Sequence, residues 1–284
     1  MEPEGTERQQ APPELEPAAS PMQGQPAPRA VLQVAPAWHT VVLVAGVVAL
    51  SVHGASRFAL HRGPVDRLAT YAMTALMEAA LFGWVLLGLH LGRTPLRSLL
   101  GGFSFRPRAV AQDMGVAAVF WIASLCVLGS IGVAWAGVEK AMAHPAPVAP
   151  AHGQPPAYSS SQMESLRALK ELAPEGAGEI AAWALLCVLV GFVEELVFRG
   201  YLQRQFIALA RGGLVTGVLL SASVFGAAHA YQGARNMVML AVFGVLFSVL
   251  ALYRRSLRAG MMAHCWHDLF AGLALALLKS AHVI

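Results

Sequence analysis

The chain has 284 residues, of which 56% are hydrophobic and only 13% charged, with a formal net charge of +4. A soluble domain carries about a quarter charged residues, so this composition excludes an ordinary water-soluble fold. The apolar residues come in blocks rather than alternating with period 2 or 3.6, and no nucleic-acid-binding motif appears, so a nucleic-acid partner is not expected.

Residues 1–36 are rich in Pro, Gln, Glu and Ala and show no apolar periodicity. They read as a disordered tail, without the basic start and apolar centre of a signal peptide. The apolar blocks follow near 38–56, 68–92, 111–137, 177–198 (extending to about 210), 213–231, 235–253 and 259–278. Several reach the roughly 20 residues that a helix needs to cross about 30 Å of hydrocarbon. Continuous apolar runs suit helices and not a barrel. The expected fold is therefore all-α: a polytopic transmembrane bundle of about seven spans embedded in a lipid bilayer. Residues 37–137 would hold the first transmembrane helices. Residues 138–175, containing HPAPVAPAHGQPPAYSSSQ, would be a flexible Pro-rich loop with a short polar helix around Met163–Leu172. Residues 176–284 would complete the bundle.

Arg far outnumbers Lys, which occurs only at 140, 170 and 279. With the abundance of Ala, Gly and Pro this suggests a GC-rich bacterial genome, hence a bacterial cytoplasmic membrane. Arg93, Arg97, Arg106 and Arg108, then Arg204 and Arg211, then Arg254, Arg255 and Arg258 mark three alternate loops as cytoplasmic. The loop with Arg57, Arg62 and Arg67 falls on the other side of that scheme. Cys126, Cys187 and Cys265 all lie in apolar stretches and read as small core residues, not as a disulfide or zinc framework.

Three clusters of titratable residues interrupt the apolar blocks. The fourth block holds GFVEELVFRGYLQRQF, where Glu195 and Arg199 stand i,i+4 and can pair along one helix face. Glu194 projects about 100° away and lacks that partner. A partly desolvated carboxylate of this kind suits a general base. Taken alone, the cluster could equally be a solvated helix end at the interface. The fifth block ends SASVFGAAHAYQG, with His229 four residues after Phe225; a lone histidine of this sort is more often structural than catalytic. The last begins RAGMMAHCWHDLFAG, with His264 and Asp268 at i,i+4 and His267 between them. An Asp one turn from a His can orient the imidazole, although His and Asp are also ordinary at a helix start. A common cavity would account for all three clusters together. Glu194 lies 18 residues before Gly212 and His229 17 after it, so a helical hairpin there sets both about 25 Å from the turn. Glu78 and His90 are further ionisable residues within blocks. Glu78 could line the same cavity, or be a satisfied interior or headgroup-level carboxylate.

EELVFR, FGAAH and HCWHD, in this order and in separate spans, resemble the three motifs of the CPBP family, the CAAX prenyl endopeptidases and bacteriocin-processing (Abi) proteins. The resemblance implies a catalytic core within residues 176–284. It implies that Glu194 and His229 activate the attacking water, and that His264 and Asp268 bind the developing oxyanion or help hold the site. Asp268 stands where several relatives have Asn. An anionic Asp donates no hydrogen bond, so it is expected to orient His264. Glu195–Arg199 would be a structural pair. The family's metalloprotease label makes zinc on Glu194, His229 and His264 one option, and water activated directly by Glu and His the other. The implied partner is a peptide or protein substrate, membrane-anchored in the CAAX-like or bacteriocin type. The competing readings are a proton-coupled transporter using Glu194, His229 and Glu78 as relays, and a non-catalytic scaffold or immunity protein.

Overall fold

The computed structural model describes residues 33–60, 65–142 and 170–281. Most of the expected N-terminal tail and of the Pro-rich loop lies outside them; of the short helix expected there, only Lys170–Leu172 is described, and it is helical. The described elements are α1 (Ala37–Leu60), α2 (Arg67–Leu91), α3 (Leu96–Leu100), α4 (Pro107–Met142), α5 (Gly176–Glu194), a π-helix (Glu195–Leu202) and α6 (Gln203–Leu209). They are followed by α7 (Leu214–Ala227), a 3-10 turn (Ala230–Gln232), α8 (Ala234–Arg254) and α9 (Arg258–Ser280). An isolated bridge between Gly101 and Ser256 is the only extended pairing among the described residues.

Among the described residues, six helices are long and apolar enough to cross a bilayer, counting α5, the π-helix and α6 as one run of 34 residues. The protein is an integral membrane protein of the all-α class. The fifth expected span is shorter than its apolar block: α7 has 14 residues, about 21 Å, less than the hydrocarbon thickness. The chain leaves the helix at Ala228 and turns through Ala230–Gln232 into Gly233, whose φ of 91° begins α8. Irregular backbone at membrane depth survives only where protein or a cavity surrounds it. Here the freed Ala230 N–H donates to the buried Ser51 hydroxyl of α1, at 3.0 Å.

The 34-residue run is the centre of the bundle: 39% of its apolar window is buried, against 11% for α4. Helices α2 and α9 pack on α5, α4 packs on α9, and α7 packs on α8. Every residue of the π-helix is buried. Its i→i+5 turns aim Tyr201 at α1, where the hydroxyl meets His39 Nδ1 at 2.8 Å and Thr40 Oγ1 at 3.0 Å. One turn on, the Gln205 amide oxygen accepts from the Val34 and Ala35 N–H groups, and its nitrogen donates to the Ala35 carbonyl. The chain entering α1 is thus fixed by the same run that carries Glu194.

The two ends of the bundle are tied differently. At the Arg-rich end, Asp113 of α4 accepts from Arg254 at 2.5 Å and from Arg258 Nε at 2.6 Å, joining α4, α8 and α9. Arg258 also donates to the Ser104 carbonyl. At the opposite end Arg67 meets Glu179 at 2.7 Å and Glu175 at 2.8 Å, and Lys279 pairs with Glu175. Lys279 and Arg67 together hold the exposed Glu175 carboxyl below the usual range. Arg67, one of the basic residues that fit the alternation poorly, is therefore neutralised locally. Arg62 and the side chain of Arg57 lie outside the described residues.

Candidate active site

Close helix approach sets the site. Gly191 of α5 faces the α9 backbone: a Cβ there would stand 2.9 Å from Cys265 N and 3.1 Å from Met261 O. Small residues allow such contact where membrane helices cross. One turn further along α5, Glu194 and Glu195 reach the level of His264.

Glu195 and Arg199 pair at 2.9 Å, both side chains about 1% exposed. The guanidinium carbon of Arg199 lies 4.3 Å from the Phe225 ring centroid and 5.0 Å from that of Phe247. Aromatic faces supply part of the compensation that a buried cation requires. The same Glu195 oxygen accepts from His264 Nδ1 at 3.0 Å. Asp268, expected to orient this ring, has its Oδ2 3.6 Å from the other nitrogen, His264 Nε2. The pairing of Glu195 with Arg199 was legible as i,i+4 spacing, whereas its bond to His264 spans 69 residues and depends on the α5–α9 approach.

Glu194 stands between the two histidines. Its Oε1 is 3.9 Å from His229 Nε2 and its Oε2 3.5 Å from His264 Nε2. His229 Nδ1 contacts the Phe225 carbonyl at 2.8 Å. A carbonyl only accepts, so Nδ1 carries the hydrogen and a neutral ring presents an Nε2 lone pair toward Glu194. Glu194, His229, His264 and Asp268 all line one cavity of about 640 Å³, as do Glu78 and His267. The cavity runs from Glu194 toward the end marked by Tyr71 and Leu172, whose carbonyl accepts from the Tyr71 hydroxyl at 2.6 Å. His90 is not among its lining residues.

The donor set partly suits zinc. Both imidazoles hold Nδ1 in a hydrogen bond and turn Nε2 inward, the usual orientation of metal-bound histidines. Ligands at about 2.0–2.2 Å from a tetrahedral ion stand roughly 3.3 Å apart. The separations from Glu194 are 3.9 and 3.5 Å, and among the described residues no three His, Cys, Asp or Glu side chains are gathered to hold a metal. The arrangement does not fit the ion as it stands.

Two buried polar groups escaped sequence reading. Asp113 sits near the start of an apolar helix, and only its arginines, more than 140 residues away, reveal it. His39 stacks on Trp84 at 4.6 Å, and its role depends on Tyr201.

Residues 176–270 match the family model for the type II CAAX prenyl endopeptidase Rce1-like domain. No curated protein and no solved structure matches the chain significantly. The matched stretch contains Glu194, His229, His264 and Asp268, which line the cavity, and Glu195 and Arg199, which pair with each other beside His264. This match supports a place for residues 176–270 in the CPBP, or CAAX-protease, family of intramembrane endopeptidases.

Proposed function

We propose that the protein hydrolyses a peptide bond of a membrane-associated substrate, using water activated by Glu194 and His229. The observation that carries this reading is the placement of the Glu194 carboxylate opposite an inward-facing His229 Nε2, 3.9 Å away. A water about 2.8 Å from both atoms sees them at roughly a right angle, which suits two donated hydrogen bonds. The carboxylate and imidazole draw off a proton as the water oxygen bonds to the scissile carbonyl carbon. His264, held through Nδ1 by Glu195, turns Nε2 to the same space; carrying a proton there, it donates to the oxyanion. The proton taken by Glu194 passes to the leaving amine as the C–N bond breaks. The Asp268 carboxyl stands 3.6 Å from His264 Nε2, and Glu195, itself paired with Arg199, fixes the ring that does the donating.

No step passes through a metal. Zinc on Glu194, His229 and His264 would require these side chains to close from 3.9 and 3.5 Å before they could hold the ion. The substrate is of the CAAX-like or bacteriocin type, presented from the bilayer. The Arg-rich end faces the cytoplasm of a bacterial inner membrane, by the excess of Arg in its short loops.

The test is cleavage of amphipathic and lipidated peptides by the purified protein, by His229→Ala, and by the wild type with a strong chelator. The expected outcome is cleavage by the wild type, a loss of at least about a hundredfold in His229→Ala, and no effect of chelator. Chelator-sensitive cleavage, restored by zinc, would replace the metal-free step with the metal one. No cleavage by the wild type, or equal cleavage by the variant, would turn the reading toward a scaffold or a transporter.

A further inference from the structure

The cavity that reaches Glu194 has an uneven charge balance. Among the described residues that line it are the carboxyl groups of Glu78, Glu171, Glu194 and Asp268, and no lysine or arginine. Its basic groups are the imidazoles of His229, His264 and His267. Arg199, although close by, is committed to Glu195 and enclosed by aromatic rings.

Glu78 has no part in the chemistry above. It stands in the middle of α2, 4% exposed, with Oε2 lacking a hydrogen-bond partner among the described residues and the side chain lining the cavity. A buried acceptor without a donor is costly, and a membrane interior makes it more so. Ionisable groups kept at such a depth mark a route for a ligand or an ion. The cavity that Glu78 lines also has apolar walls, among them Met77, Leu81, Leu186 and Met239, beside the polar groups of the site.

We propose that the cavity selects peptide segments that carry a positive charge, a Lys or Arg side chain or a free amino group, and seats that charge on Glu78. The neighbouring apolar residues of the substrate lie against the apolar wall. A substrate's free C-terminal carboxylate finds no lysine or arginine among these lining residues. The proposal rests on reading this cavity as the substrate site, and it narrows the substrate to a cationic, otherwise apolar segment.

The experiment uses the full chain in nanodiscs of neutral phosphatidylcholine, so that the lipid does not itself attract the probe. Three fluorescent apolar peptides, identical except for one Lys, Gln or Glu, are titrated and their affinities measured by polarisation. The Lys peptide is expected to bind at least tenfold more tightly than the Glu peptide, with Gln between them. In Glu78→Gln the Lys-over-Glu ratio should fall at least fivefold, a change that general loosening of the fold does not produce. Equal binding of the three peptides by the wild type, or a ratio unchanged in Glu78→Gln, would overturn the proposal. The wild-type comparison decides even where the variant does not fold. Because binding is read without turnover, a protein that selects the Lys peptide but cleaves nothing would count against the protease reading and not against this one.

Discussion

Asp113 and Glu194 are both carboxyl groups buried in an apolar bundle, and the protein treats them in opposite ways. Asp113 offers one oxygen to Arg254 and the other to Arg258, so its charge is met twice. Among the described residues Glu194 has no arginine on it; its oxygens face two imidazoles at 3.9 and 3.5 Å, and Oε2 makes no hydrogen bond. A carboxylate with its lone pairs occupied by guanidinium groups holds helices together and is a poor base. One whose acceptors remain open to a cavity can take a proton. The contrast separates an end of the bundle built for rigidity from a centre left incomplete for a ligand.

The contrast can be broken most forcefully at Asp113. Asp113→Ala leaves the buried Arg258 charge uncompensated, which is expected to cost about 3–5 kcal/mol. A thermal melt in detergent should show a large drop, while turnover per folded molecule stays close to wild type. A variant that melts normally but is inactive would place Asp113 in the chemistry instead. Gly191→Ala is expected to act on rate. Its new Cβ would press on the α9 backbone at Cys265, moving His264 by a few tenths of an ångström relative to Glu194. Catalytic geometry is sensitive at that scale, and a loss of about tenfold in kcat is expected, with little change in the melt. Unchanged kcat would mean that α9 yields without moving the imidazole. The smallest effect belongs to Ser51→Ala, which strips the Ala230 N–H of its acceptor beside His229. That should cost about 1 kcal/mol, measured as a modest fall in melting temperature. No fall would mean that the 3-10 turn finds another partner.

Much of this architecture follows from hydrophobic blocks alone, because a helix in lipid satisfies its own backbone and needs only length and apolarity. The hairpin around Gly212 could likewise be read as a matter of rise per residue, and it sets His229 level with Glu194. What the residues could not disclose depends on partners distant in sequence. The π-helix is supported by Tyr201 on His39 and by Gln205 just beyond it on Val34 and Ala35, contacts that no local pattern encodes. The early end of α7 is affordable only because Ser51 waits on another helix. Glu195 serves Arg199 and His264 together, and only the first pairing has a helical spacing.

The most direct measurement is turnover and melting of Glu194→Gln beside the wild type, on one peptide that the wild type cleaves. Gln keeps the shape of the side chain and removes its ability to take a proton. Turnover should fall by about a hundredfold or more, with the melting temperature unchanged or slightly raised. Cleavage at the wild-type rate by a folded Glu194→Gln protein would contradict the assignment of Glu194 as the base.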